Sequence, residues 1–253
     1  MVEALFWPAL LGYGEAAFAY ASARTTRAAT WGVRLGWIAQ TALLSVQAAR
    51  ADGFPWSSWA GSLNLFVWLV VGAYLIWGCR PRFRLLGLTV MPLAAALFVV
   101  ARVGGGTRGG ARTDYGNLFL VLHVGFVLAA FAGFTLAAAL AGLFLWQERR
   151  LKRRAADILR LRLPPLASLE RLTWRTIAVS LPLLTLGLGA GIVRLREERH
   201  GVDALELVTV LTWLVYGGFV ALRPTGRRAA FLALGGFALV VVARLVLSAG
   251  HFT

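Results

Sequence analysis

The chain has 253 residues, of which 59% are hydrophobic and only 15% are charged, and its mean hydropathy is +0.72. A soluble domain is typically about 45–50% apolar and about 25% charged, so this composition excludes a soluble globule and a disordered chain. The single cysteine, Cys79, excludes a disulfide framework, a zinc cluster and a CxxC redox pair. The net charge of +15 comes from basic residues that lie mostly between apolar runs, which is typical of an integral membrane protein and not of a nucleic-acid-binding protein.

Eight apolar runs follow one another, each near the length of about 20 residues that crosses a bilayer as a helix. They cover residues 4–22, 31–49, 60–79, 84–103, 117–147, 174–193, 204–222 and 229–249. Backbone polar groups in lipid must bond within their own segment, so the runs predict an eight-transmembrane-helix bundle, an all-α membrane protein with one polytopic domain over 1–253. The fifth run is predicted to continue as a helix into water through Arg150, because no Gly or Pro interrupts residues 143–150.

The basic residues predict how this bundle is oriented. If the segments after the first, third, fifth and seventh runs are cytoplasmic, 18 of the 26 Lys and Arg residues lie on that side and 8 on the other. The positive-inside rule then places both termini on the outer, extracytoplasmic side. The loop predicted at 149–175 carries nine of these residues. It is expected to set the topology and contact anionic lipid head groups, or alternatively to dock an acidic cytoplasmic partner.

Three histidines, His123, His200 and His251, all fall toward the predicted outer side. His123 lies about 9 Å below the predicted start of the fifth helix, at 1.5 Å rise per residue. An ionisable residue within a membrane helix is a functional candidate, although a lone histidine is as often a hydrogen-bonded packing residue. Two neutral imidazoles near one surface suit the axial pair of a haem iron, so His123 and His251 are candidate metal ligands.

A haem also needs apolar walls for its ring and cationic or hydrogen-bonding partners for its propionates. The predicted outer side offers Trp56 and Trp59 for the ring and Arg112 for a propionate. The alternative for both tryptophans is the aromatic belt at the membrane interface. The residues alone therefore indicate a polytopic membrane protein, with an outer-side haem or metal pair as an open hypothesis.

The second half of the chain resembles the cytochrome c assembly family. Five segments carry the resemblance in order: LHVG at 122–125, PLASLERL at 165–172, LPLLTLG at 181–187, TWLVY at 212–216 and GRRAA at 226–230. Their counterparts in the family are LHVS, LPSLERLD, FPLLTLGL, TWLIY and GKKAA. The resemblance covers 117–251 well and 1–116 only by helix count.

This resemblance implies haem handling for cytochrome c assembly at the bacterial cytoplasmic membrane. The expected role is a haem-binding module or a lyase subunit, working with an assembly partner protein or apocytochrome c, and not a catalyst in its own right. The family's outer histidines fall on His123 and His251, with His200 as a reserve ligand in the loop between them. That loop aligns with the family's WSWDPKE, so Asp203 and Glu206 keep the acidic positions and no tryptophan is present.

The departures from the family pattern favour its HemX-like branch. The family's membrane histidine falls on Ala221, and the tryptophan signature is missing. A second hypothesis is therefore a HemX-like regulator of haem biosynthesis that acts through the basic 149–175 loop without binding haem. A small-molecule transporter ranks below both, because the sequence has no pair of broken half-helices at matching positions.

Overall fold

The structure is a computed structural model that describes residues 2–22, 26–50, 56, 58–77, 84–107, 118–153, 164–198 and 204–249. These residues form eight helices: α1 (Val2–Ala21), α2 (Thr26–Arg50), α3 (Trp59–Trp77), α4 (Arg84–Val103), α5 (Leu118–Lys152), α6 (Leu166–Glu198), α7 (Ala204–Leu222) and α8 (Gly226–Ala249). The prediction of an all-helical protein is confirmed for this part of the chain. Seven of the helices lie within a few residues of the predicted runs.

Four of these helices are long and apolar enough to cross a membrane. Across the ranges that the structure describes, their spans are Trp59–Ile76 in α3, Leu86–Val103 in α4, Val121–Lys152 in α5 and Leu166–Val193 in α6. This finding supports the membrane character inferred from composition. The count of eight spans and the outer position of both termini stay predictions.

The largest difference from the sequence prediction lies between α5 and α6. α5 is continuous from Leu118 to Lys152, which confirms that the helix continues through Arg150. α6 begins at Leu166 and not at 174, so the predicted loop over 149–175 is wrong at both ends. The charges at 170–175 lower the hydropathy without lowering helix propensity. Pro164-Pro165 directly precedes α6, and the Pro165 carbonyl accepts the amides of Ser168 and Leu169 in its first turn.

The helices form two compact units, Met1–Leu118 and Phe119–Thr253. In the first unit, α1 and α2 approach closely through glycines. A Cβ atom on Gly12 would lie 2.7 Å from the Cα atom of Gly36 and 2.7 Å from the carbonyl oxygen of Gly32. Small residues permit such backbone contact between membrane helices, where lipid provides no hydrophobic drive for association.

A buried polar network joins the helices of the first unit. Gln40, Gln47 and Asn64 are at most 1% exposed. The Gln40 amide donates to Asn64 Oδ1 at 2.9 Å, and the Tyr13 hydroxyl donates to Gln40 Oε1 at 2.5 Å. The side-chain amides of Gln47 and Asn64 both donate to the carbonyl of Gly106, at 3.0 and 3.1 Å. The network therefore connects α1, α2 and α3 to the turn that ends α4.

Glycine makes that turn possible. Gly105 has φ +84°, the left-handed region that residues with a Cβ rarely adopt. Its amide donates to Arg102 O at 3.0 Å, and the amide of Gly106 donates to Ala101 O at 2.7 Å. These two bonds satisfy carbonyls at the end of α4 in the manner of a Schellman motif.

In the second unit, aromatic and small residues hold the four helices together. The rings of Phe134 in α5 and Tyr216 in α7 stack with centroids 3.9 Å apart. The Tyr216 hydroxyl donates to the carbonyl of Ala233 in α8 at 3.1 Å. The Trp213 indole of α7 donates to Thr185 Oγ1 in α6 at 2.8 Å. These contacts fix α6, α7 and α8 around the helix that carries His123.

Candidate functional site

Three of the residues predicted for the haem site lie in the described part of the chain: His123, Trp56 and Trp59. The others lie outside the described residues, namely His200, His251, Asp203 and Arg112. Their roles stay predictions. His123 belongs to α5 in the second unit, whereas Trp59 is the first residue of α3 and Trp56 precedes that helix, both in the first unit.

The imidazole of His123 is half-buried and fixed by one short hydrogen bond. Its Nδ1 lies 2.7 Å from the carbonyl oxygen of Gly187 in α6. A carbonyl oxygen can only accept, so Nδ1 must carry the proton. In the neutral ring the lone pair is therefore on Nε2, which has no hydrogen-bond partner among the described residues.

Two glycines of α6 make room for this ring, and we call Gly187 and Gly191 the glycine notch. A Cβ atom on Gly191 would lie 2.8 Å from His123 Nδ1 and 2.9 Å from its Cε1. A Cβ atom on Gly187 would lie 2.8 Å from Val127 Cγ2. His123 and Val127 are four residues apart on α5, as are the two glycines on α6. The notch thus accepts one face of α5.

The hydrogen bond to Gly187 meets one requirement of a metal-ligating histidine. Ligating histidines usually donate their other ring N–H to a carbonyl, a carboxylate or water, which fixes the tautomer and the ring orientation. The Gly187 carbonyl does this for His123. The structure describes no group of three or more His, Cys, Asp or Glu residues that could hold a bare metal ion within its resolved ranges. A haem iron already has four porphyrin nitrogens and needs only axial ligands, so a single imidazole from α5 fits it.

Trp59 lies beside the turn that ends α4, and Trp56 lies just before α3. Ser58 caps α3 by accepting the amide of Gly61 at 3.0 Å, which places Trp59 in the first helical turn. Trp59 is 60% exposed, and its ring is so close to Gly104 that a Cβ atom there would collide with it. Trp56 is half-buried, and its carbonyl accepts the Ser62 hydroxyl at 2.7 Å. Exposure of Trp59 suits both an aromatic belt and an apolar wall for a ligand.

Sequence reasoning missed the glycine notch and the polar network. The signal that could have found the notch is the four-residue spacing of Gly187 and Gly191 in α6, which is typical of close helix approach. The amides of Gln40, Gln47 and Asn64 lie inside apolar runs, where unpaired polar groups are costly and signal a buried network.

The described residues form an all-helical protein with candidate membrane-spanning helices, in which the Gly187 carbonyl of α6 holds the His123 imidazole of α5. Comparison with known proteins identifies its family. The profile of the family described as Cytochrome C assembly protein matches residues 56–250. The chain belongs to this family, which confirms the resemblance recognised in the sequence.

Similar proteins in cyanobacteria carry the name cytochrome c biogenesis protein CcsA. The one from Microcystis aeruginosa is 25% identical in an alignment of 271 positions, which covers 85% of this chain and 82% of the relative. The one from Gloeothece citriformis is 27% identical in an alignment of 273 positions, which covers 85% of this chain and 83% of the relative. The one from Picosynechococcus is 25% identical in an alignment of 306 positions, which covers 95% of this chain and 90% of the relative.

Proposed function

We propose that this chain acts in cytochrome c biogenesis by binding haem as its cargo, with His123 Nε2 as an axial iron ligand. The observation that carries the proposal is the 2.7 Å bond from His123 Nδ1–H to Gly187 O, since it directs the Nε2 lone pair to an external ligand. Membership of the cytochrome c assembly family and the CcsA relatives support the same biological process. Bound haem supplies an iron that accepts axial nitrogens on both faces of the porphyrin.

Residues outside the described ranges complete this proposal. His251 is the second axial ligand, and His200 is the reserve ligand. The sequence also predicts Arg112 as a propionate partner and Asp203 as a haem contact. The site faces the outer side of a bacterial cytoplasmic membrane, and its partner is an assembly protein or apocytochrome c.

The visible spectrum of the purified protein tests the proposal. Wild-type protein from haem-replete cells is expected to show a Soret band. His123→Ala and His251→Ala abolish this band, and His200→Ala only weakens it. Leu122→Ala is the matched control, because it truncates the neighbouring α5 side chain, 37% exposed, without touching the imidazole.

Rescue by a free ligand separates ligation from packing. Imidazole added to His123→Gly should restore the Soret band, because the free base can occupy the vacated axial position. A wild-type protein without a Soret band, or a His123→Ala variant that keeps the wild-type spectrum, would overturn the assignment.

A further inference from the structure

One end of the second unit gathers the end of α5, the start of α6 and the turn between α7 and α8. The Gln147 side-chain amide of α5 donates to the carbonyl of Pro164 at 3.1 Å. The Glu170 carboxylate of α6 accepts the amide of Gly226 at 2.9 Å. Arg227 of α8 lies 3.5 Å from the carboxylate of Glu148 in α5. These three contacts place the helix termini together.

This end carries a large excess of positive charge. Its basic residues are Arg149, Arg150, Lys152, Arg153, Arg171, Arg175, Arg223, Arg227 and Arg228. Its two described carboxylates are both engaged: Glu148 pairs with Lys152 at 2.8 Å and with Arg227, and Glu170 caps α8. Seven exposed arginines have no carboxylate partner among the described residues, namely Arg149, Arg150, Arg153, Arg171, Arg175, Arg223 and Arg228. We call three of them the arginine cluster: Arg223, which contacts Trp174, and Arg171 and Arg175, which flank Trp174 in the sequence of α6.

Arg223 has an unusual backbone for its residue type. Its φ is +46°, the sole positive φ at a non-glycine residue in the described ranges. It follows the last residue of α7, where glycine is the usual choice. Its guanidinium lies over the Trp174 ring of α6, with Cζ 5.1 Å from the ring centroid. A strained residue that keeps a charged side chain in one place is a pointer to function.

α6 carries the other two arginines of the cluster, Arg171 and Arg175. Glu170 and Trp174 are four residues apart, on one face of the helix, and both contact the α7–α8 turn. Arg171 and Arg175 are their immediate neighbours in the sequence and are exposed. The guanidinium that stacks on Trp174 keeps its N–H edge available, which is the edge that grips phosphate oxygens.

We propose that the arginine cluster binds the phosphate of an anionic phospholipid head group. Arg171 and Arg175 lie in the first three turns of α6, near one end of its candidate membrane span Leu166–Val193. Tryptophan is enriched at the level where membrane helices meet the head groups. The excess of positive charge favours an anionic lipid over a neutral one, and arginine binds phosphate oxygens through paired N–H groups. This site is independent of the haem proposal.

The test is lipid binding by the full-length protein in neutral detergent. Phosphatidylglycerol is titrated, and the rise of the unfolding midpoint gives an apparent Kd. Phosphatidylcholine should give no comparable rise. Arg171→Gln and Arg223→Gln should each weaken the apparent Kd about fivefold, the fold-change that corresponds to about 1 kcal/mol per basic residue near an anionic surface.

Arg223→Gly separates binding from folding. Glycine relieves the left-handed backbone, so this variant should be at least as stable as wild type without lipid and still respond weakly to phosphatidylglycerol. Arg34→Gln is the matched control. Arg34 is also an exposed arginine over a tryptophan, with Cζ 5.4 Å from the Trp31 ring, but it lies in α2 of the first unit. This variant should keep the wild-type response.

Three results would overturn the proposal. The first is an unchanged phosphatidylglycerol affinity in both Arg223 variants. The second is an equal midpoint rise with inorganic phosphate, which would assign the cluster to a soluble anion. The third is a rise with an acidic peptide and none with phosphatidylglycerol, which would assign it to a protein partner.

Discussion

Substitution of Gly191 by alanine tests whether the glycine notch prepares His123 for haem. The added Cβ atom would lie 2.8 Å from Nδ1 and 2.9 Å from Cε1 of the imidazole. Real Cβ atoms essentially never approach other heavy atoms that closely, so the ring must move. A displaced ring loses the 2.7 Å bond to Gly187 O and with it the fixed tautomer.

Two opposing terms set the effect of Gly191→Ala on stability. Loss of a neutral hydrogen bond removes about 1 kcal/mol. Replacement of glycine by alanine inside a helix returns about 1 kcal/mol, because the backbone of alanine loses less conformational entropy on folding. The free energy of unfolding should therefore change little. Haem affinity should fall about 10- to 100-fold, the usual effect of removing the partner that orients a metal-binding histidine.

The assay is haem titration followed at the Soret band, with thermal unfolding of the same preparation. Gly189→Ala is the matched control, because a Cβ atom at Gly189 meets nothing within 4 Å on the same helix. It should keep full haem affinity. Wild-type affinity in Gly191→Ala, or an equal loss in Gly189→Ala, would refute the role of the notch.

Three further predictions concern packing and topology. Gly133→Ala should lower the free energy of unfolding by about 1–3 kcal/mol, because its Cβ atom would collide with Ser180 Oγ; adding Ser180→Gly should recover most of the lost thermal midpoint. Asn64→Ala should lower the free energy of unfolding by about 1–3 kcal/mol, since it removes the centre of the buried amide network; an unchanged midpoint would show that the network adds nothing to stability. The side chains of Val103 and Leu151 are 84% and 44% exposed, so each position can carry a labelled cysteine in a cysteine-free background. An impermeant thiol reagent applied from outside should label Val103→Cys and should not label Leu151→Cys. The reverse pattern would invert the predicted orientation.

The sequence alone determined the class of protein, most of the helix positions and the family. Helices in lipid follow from local properties, namely the length of an apolar run and the proline or glycine that ends it. This is why α4 and α7 have the predicted bounds. The family followed from short ordered motifs, and His123 stood out because a titratable ring in an apolar run is unusual.

The same local signals failed where charge and helix occur together. The start of α6 contains Glu170, Arg171 and Arg175, and these charges led to its interpretation as part of a loop although its residues favour a helix. The charged residues were misleading there. The sequence did contain the signal for the start of α6, because Pro164-Pro165 directly precedes Leu166.

Tertiary structure decided everything that depends on residues distant in the chain. The partner of His123 is 64 residues away, and the amides that hold Gly106 are 59 and 42 residues away. Which ring nitrogen carries the proton follows from the acceptor that α6 brings to the histidine, and no periodicity along α5 specifies that acceptor. The imidazole of His123 became a candidate ligand through its position in the sequence. Its orientation is fixed by the carbonyl of Gly187, which the ring can reach because Gly187 and Gly191 have no side chains.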